Sequence, residues 1–419
     1  MKYQIKSYQN CLMRLFVSVI ALLPTLLLAQ MKTGMWQGVL HLNKEKGIDL
    51  PFNFEVKMVN ARVQLIIHNA QERILVDETF FEKETFNFKM PVFDTEFRTK
   101  IYGDTLLKGE WINHTKKENN TIAFTAIHNE LKRFPFNPKK PGLIYNGKWE
   151  VDFNKNKPDT YKAIGLFTYE KGTSTIFGTF LTETGDYRYL EGMEHEGKLY
   201  LSCFDGSHAF LFTAENNGQS ITNGHFYSGA TGYESWEGRR NGTFELPNPE
   251  GLTYLKDTMS TVYFAFYNTR DSLVSLKDDK FKGKVVIIQL MGSWCPNCMD
   301  ESAYLADLYE RYQKKGLEIV ALAYERTQDK LKAKANIERL VKRFHIGYEV
   351  LLTGLTGKDK ASESMPFLNK IMAFPTTIIL DKHHQVQTIY TGFNGPATGK
   401  AYNMYTQKTE ALIEELLSK

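Results

Sequence analysis

The 419-residue sequence predicts a multidomain chain, an all-β amino-terminal region followed by a carboxy-terminal α/β domain. Three observations predict it. Short runs rich in β-branched and aromatic residues, punctuated by turn residues, fill the stretch from Gln30 to Pro247 with no long helical periodicity. Proline clusters, first at Pro135, Pro138 and Pro141-Gly142 and then at Pro247-Asn248-Pro249-Glu250-Gly251, divide the chain. Beyond the second cluster, apolar strands alternate with amphipathic helices, the order of an α/β layer structure. The expected units are a leader over 1–29, β-rich units over 30–140 and 141–246, and the α/β domain over 247–419. The breaks are brief, so the units should touch.

The leader carries Lys2, Lys6 and Arg14 with no acid, then an apolar stretch from Leu15 to Leu28 and a cleavage point at Ala29-Gln30, the pattern of a secretory signal peptide. That stretch is 14 residues long, short of the ~20 a membrane span needs. Leu27 is imperfect for cleavage, so an uncleaved anchor in the membrane stays open. The expected location is the periplasm or cell envelope. Without the leader, the 52 basic and 48 acidic residues become 49 and 48. A near-neutral protein offers no electrostatic argument for nucleic acid or an anionic membrane.

In the β region, Phe52 to Val56, Arg62 to Ile67 and Ile164 to Tyr169 read as short strands. A faint repeat runs through it. Gly34-Met35-Trp36 recurs as Gly147-Lys148-Trp149, Phe93-Asp94 as Phe204-Asp205, and Gly109-Glu110-Trp111 as Gly224-His225-Phe226, with offsets of 113, 111 and 115. These offsets imply a duplicated unit. The Gly-x-Trp opening resembles, over a few residues per unit, lipocalin-like small barrels in which the tryptophan plugs one end. Periodicity does not separate barrel from sandwich. Cys203 sits alone in a strand-like run and reads as a small buried hydrophobe. With Cys11 in the leader, no structural disulfide framework is available, so stability must come from cores.

The chemistry is expected at the apolar run Val285 to Met291, followed by Gly292-Ser293-Trp294-Cys295-Pro296-Asn297-Cys298. A helix start presents unpaired N–H groups and the positive end of the macrodipole, both of which favour thiolate over thiol. Cys295 is placed at the N-cap, Pro296 at the first helical position, where its missing N–H costs nothing, and Cys298 one turn in. Cys298, Glu301, Leu305, Leu308 and Tyr312 then step by 3, 4, 3 and 4 along one face, and Lys314-Lys315-Gly316 ends the helix. Zinc and haem sites share the C-x-x-C spacing. No second cysteine pair or spaced histidines supply a zinc set, and Met299 stands where c-type haem attachment needs histidine. No metal or cofactor is expected.

From about Tyr254 to Lys419 the chain resembles the thioredoxin-like TlpA/ResA family of extracytoplasmic thiol-disulfide oxidoreductases. Three motifs carry the resemblance: the Gly292 to Cys298 segment, Phe374-Pro375-Thr376-Thr377 ahead of Ile378-Ile379-Leu380-Asp381, and Thr391-Gly392-Phe393-Asn394-Gly395-Pro396-Ala397-Thr398-Gly399. The resemblance implies a thioredoxin-like fold and a reversible Cys295–Cys298 redox disulfide. It further implies a cis Phe374-Pro375 bond, affordable at roughly 0.5–1 kcal/mol for X–Pro, in a loop beside the cysteines. Trp294, Pro296, Phe374, Pro375 and Thr376 become the expected substrate-contacting residues. Glu301, on the apolar face of the helix, should be partly buried with a raised pKa and exchange a proton with Cys298, as the family's glutamate at this position does. Thioredoxins place an aspartate six residues before the first cysteine, where this chain has Gln289, which cannot titrate.

The remaining elements of this domain are a strand over Leu317 to Ala323, a helix burying Ile337, Leu340, Val341 and Phe344, and a strand near Tyr348 to Leu352. An inserted segment from Gly354 to Lys370 is placed to shape the substrate surface. A hairpin turning at Asp381-Lys382-His383-His384 and a closing helix follow, with the two histidines read as solvated. The expected activity is disulfide exchange with protein disulfides or dithiols as a reductant, supplied by a membrane or periplasmic redox partner. The alternatives are a disulfide-forming oxidant, or a binding protein whose β units recognise a ligand while the dithiol serves as an accessory.

Overall fold

The computed structural model describes residues 31–137, 142–256 and 262–419. The expected leader, with Cys11, and part of the first proline break lie outside the described residues.

The first β unit is an antiparallel meander of nine strands, from Gly34–Asn43 to Thr121–His128. Its first strand pairs with both the second, Ile48–Val59, and the last. The two edge strands, Glu72–Val76 and Glu78–Glu82, are consecutive in sequence yet unpaired, so the curled sheet stays open at that seam. Alternate residues point inward, as the strand period of two requires, and Trp36, Phe52, Phe54, Phe97 and Phe124 fill the inside.

The second unit closes. Gly147–Phe153 pairs with Tyr161–Tyr169 on one side and Gly232–Arg240 on the other, and Tyr161–Tyr169 also pairs with Thr175–Thr182. The ladder therefore returns to its start and leaves no free edge along that ring. A separate core of Trp149, Phe153, Phe180, Phe212 and Trp236 packs inside. Cys203 is a fully buried free thiol within it.

The two units interlock rather than merely touch. Phe204 of the second unit reaches into the first and packs on Phe52, Phe97 and Trp111 at ring separations of 4.7, 5.4 and 5.5 Å. Arg133, from the connecting segment, is buried between them and donates to Ser202 Oγ (3.0 Å) and the His68 carbonyl (2.6 Å) while pairing with Glu191.

In the α/β domain we number β1 (Ala265–Asn268), β2 (Leu273–Ser275), β3 (Val285–Met291), α1 (Pro296–Tyr312), β4 (Leu317–Ala323), α2 (Lys330–Phe344), β5 (Glu349–Leu352), α3 (Gly357–Ser364), β6 (Thr376–Leu380), β7 (Val386–Thr391) and α4 (Lys400–Ser418). The sheet order is β2-β1-β5-β4-β3-β6-β7. Every residue of β3 is buried, as suits a run apolar but for Gln289 in a strand covered on both faces. It pairs parallel with β4 and antiparallel with β6. α1 buries Cys298, Glu301, Leu305, Leu308 and Tyr312, the face its spacing predicts. Full burial of each leucine contributes about 1.5–3 kcal/mol. Past the helix, Gly316 takes φ 109°, the left-handed turn that glycine enters without a Cβ penalty.

Candidate active site

The chain leaves the carboxyl end of β3 through Gly292-Ser293-Trp294 and enters α1 at Cys295. Cys295 caps the helix with extended backbone, and its Sγ accepts the Cys298 N–H at 3.2 Å. Pro296 occupies the first helical position. Cys295 and Cys298 are joined as a disulfide, with Cα atoms 5.2 Å apart.

A buried carboxyl anchors this turn from below. Glu325, just past β4, accepts the Ser293 N–H (2.8 Å) and hydroxyl (2.7 Å) and the Asn336 side-chain amide of α2 (3.3 Å), and burial raises its pKa. Trp294 donates its indole N–H to the Tyr324 carbonyl at 3.0 Å, carries the Arg326 guanidinium 3.9 Å above its ring, and meets Phe374 edge-on at 5.9 Å.

The Phe374–Pro375 bond is cis, and the Phe374 carbonyl oxygen lies 3.5 Å from Cys295 Sγ. Gly392 donates its N–H to the Pro375 carbonyl at 2.8 Å, tying the third sequence motif to this loop. Phe374 faces a cleft beside the dithiol. Thr376 is not brought there: it is fully buried, and its hydroxyl donates to the Ala373 carbonyl at 2.8 Å.

Glu301 is wholly buried, deeper than the partial burial its helix position predicts. Its Oε1 accepts the hydroxyls of Thr377 (2.7 Å) and Tyr405 (3.2 Å), and its Oε2 accepts the Gln289 amide at 2.8 Å. Burial pushes its pKa up to about 7, against the opposing pull of those three donors. A carboxyl with that pKa, one helical turn from Cys298, can hold or release a proton near neutral pH.

A nucleophilic thiol must be reached by its substrate, yet Cys295 is largely covered. Its exposure is 7%, because the second β unit stands over the turn. The cleft between them has a volume of about 850 Å³ and is lined by Trp294, Cys295, Pro296, Asn297 and Phe374 on one side and by Tyr161, Tyr187 and Phe210 on the other. Asn297 donates to the carbonyls of Asp186 (3.2 Å) and Phe393 (3.4 Å), and Ser207 donates to the Trp294 carbonyl at 3.3 Å.

Arg188 locks this arrangement. Its buried guanidinium donates to the Pro296 carbonyl at 3.1 Å and pairs with Glu72 of the first unit, Asp300 of α1, and Asp205 of its own unit at 3.2 Å. Asp186 accepts the Gly395 N–H at 2.5 Å, and burial pushes its pKa up to about 6.

Sequence reasoning missed Glu325, Thr377, Tyr405 and Arg188. Glu325 had a signal, since it follows an apolar strand at the carboxyl end of the sheet, where sites of open α/β folds gather. Arg188 had none, being 108 residues from Pro296 in the chain. His384 is part-buried against the Phe281 carbonyl rather than solvated, while His383 is exposed. Among the described residues no group of three or more His, Cys, Asp or Glu is arranged to hold a metal ion, and no helix is long and apolar enough to cross a membrane.

Fold and dithiol together place the carboxy-terminal domain in the thioredoxin-like class. Residues 256–405 match the family model described as Redoxin. Among curated proteins, the chain is 32% identical over 113 residues to the thiol-disulfide oxidoreductase ResA of Bacillus thuringiensis subsp. konkukian, covering 27% of this chain and 57% of that protein. To the ResA of Oceanobacillus iheyensis it is 33% identical over 121 residues, covering 29% and 55%. The chain thus spans little more than half the length of these relatives. A solved thiol-disulfide oxidoreductase from Bacteroides fragilis aligns at 19% identity over 35% of this chain and 99% of its own, with a TM-score of 0.27.

Proposed function

We propose that this chain is an extracytoplasmic thiol-disulfide oxidoreductase that reduces protein disulfides through Cys295 and Cys298. The observation that carries the reading is the dithiol pair at the first turn of α1, beside the Phe374 carbonyl, with the Glu301 carboxyl sealed one turn behind. The Cys295 thiolate attacks one sulfur of the substrate disulfide, breaking that bond and forming a mixed disulfide. The departing substrate thiolate takes up a proton. Cys298 then passes its proton to Glu301 and attacks Cys295 Sγ, which releases the second substrate thiol and closes the Cys295–Cys298 bond. Two electrons have moved to the substrate, and an envelope redox partner must return them.

In this scheme Trp294, Pro296 and Phe374 meet the substrate at the cleft, while Pro375 and Thr376 shape the loop that presents the Phe374 backbone, available for strand-like pairing. The composition of residues 1–29 supports the extracytoplasmic location. An insulin-reduction assay tests the activity: Cys295→Ser should abolish the turbidity that the unaltered protein produces, and equal turbidity would refute the proposal. A Cys295–Cys298 potential near that of thioredoxin, about −270 mV, supports a reductant, whereas one near about −120 mV makes the protein an oxidant.

The two β units we read as one duplicated lipocalin-like element. Gly34 and Gly147 share φ near 109° and 108°, and both following tryptophans are fully buried. The indole N–H of Trp36 is donated to Lys32 and that of Trp149 to Tyr145, each four residues back. The other repeated pairs also fall at matching places in the two meanders: Phe93 and Phe204 beside one hairpin turn, Gly109 and Gly224 in the penultimate strands.

A further inference from the structure

The cleft at the dithiol does not end at Trp294. A second cleft, of about 430 Å³, shares Asn113, Lys116, Ser207, Trp294 and Arg326 with the first, so the two form one trough passing Cys295. Both β units wall it, and the buried ion pairs of Arg188 hold the second unit against α1. Cys295 lies on its floor with 7% exposure. The convex surface of a folded protein does not reach a sulfur at the bottom of a two-sided trough, whereas an extended strand, rising about 3.3 Å per residue, lies along it.

The charges are uneven along its length. Among the described residues no carboxylate lies within ion-pair distance of Lys116, Lys117 or Arg326, all lining the trough at its Trp294 end. The acids that line this end, Asp94 and Glu325, are already engaged, although Glu325 still attracts Arg326 through space and leaves the two lysines as the free cations among the described residues of this end. Asp94 pairs with Lys332 at 2.7 Å, and Glu325 is buried under its hydrogen bonds from Ser293 and Asn336. Lys162, toward the other end, is itself paired with Glu150 (2.8 Å) and Asp152 (2.7 Å), and that end also carries Glu183 and Asp186.

From this geometry we infer that the trough takes an extended, cysteine-bearing polypeptide segment with acidic residues on the side that passes Trp294. The inference rests on the thiol-exchange reading and narrows its substrate. Unpaired cations at the rim attract such a segment through solvent, an effect that salt screens.

The test compares two blocked peptide disulfides of equal length, with glutamates or lysines flanking the cysteine, and the small neutral hydroxyethyl disulfide. The reduced full chain and its Lys116→Glu/Lys117→Glu variant are the reagents, since neither lysine touches the dithiol. At low salt the unaltered chain should reduce the acidic peptide on the order of tenfold faster than the basic one, a difference that high salt collapses. The variant should lose or invert that preference while reducing hydroxyethyl disulfide at the original rate. Equal rates for the two peptides, or a preference untouched by the charge reversal, would overturn the inference and leave the exchange reading standing. Absence of exchange with all three disulfides would sink both.

Discussion

Glu301 brings a titration near neutral pH to the turn behind Cys298. Its carboxyl sits near pKa 7 when folded, against an ordinary value of 4.5. Between those values the folded chain keeps a proton that the unfolded chain has lost, so stability is full below pH 4.5 and declines as pH rises through 7. The decline amounts to about 3 kcal/mol. Glu301→Gln should flatten it, narrowing or reversing any deficit against the parent at pH 8 relative to pH 5 in chemical denaturation of the oxidised proteins. The same variant should lose the inflection near pH 7 in the rate of mixed-disulfide resolution, because Cys298 no longer has a proton acceptor. Arg188 is the other decisive residue. Arg188→Met leaves Glu72, Asp205 and Asp300 without their shared guanidinium, Asp205 keeping its contact with His208, and removing one partner of a buried pair costs about 3–5 kcal/mol. Denaturant titration should show a loss of that size, and a change below 1 kcal/mol would mean that the cluster relaxes or takes up protons.

α1 and its entry turn act as one element, legible from sequence because helix geometry is local. The 3, 4, 3, 4 spacing that predicts its buried face depends only on 3.6 residues per turn. The support beneath the turn is not local. Glu325 arrives from the end of β4 and meets Ser293 only because β3 and β4 run parallel in register, with Met291 beside Ala323, and Asn336 from α2 donates to that same carboxyl. Glu325→Ala should leave the Ser293 N–H buried without a partner, costing about 1–3 kcal/mol. The Trp294 fluorescence should shift as its turn loosens, and an unchanged spectrum and stability would show that water replaces the carboxyl.

For the molecule as a whole, the arrangement that matters is the second β unit standing over the dithiol. Gly185 marks how closely they meet: a Cβ there would overlap the Asn297 side-chain amide. Its φ of 142° is also a conformation that side chains resist. Gly185→Val should push the unit away from α1 and raise the alkylation rate of reduced Cys295 several-fold, with the fold retained by circular dichroism. An unaltered rate would mean that the β unit does not limit access. The expectation of units that touch was modest beside this interlocking, in which Phe204 serves the core of its neighbour and Arg188 joins all three units.

The sequence by itself determined the strand-turn-helix carrying Cys295 and Cys298, the buried face with Glu301 and the all-β character of the first half. Each follows from short-range rules, side-chain period and helix capping, whereas the cis Phe374–Pro375 bond was legible only through the resemblance of its motif to the family's. Only the tertiary structure decided that one β sheet closes while the other stays open, that Thr377 and Tyr405 share the Glu301 carboxyl, and that Arg188 pins a β unit over the redox helix. Those outcomes depend on which distant surfaces bury one another, and a buried charge has no periodicity along the chain to announce the partner that balances it.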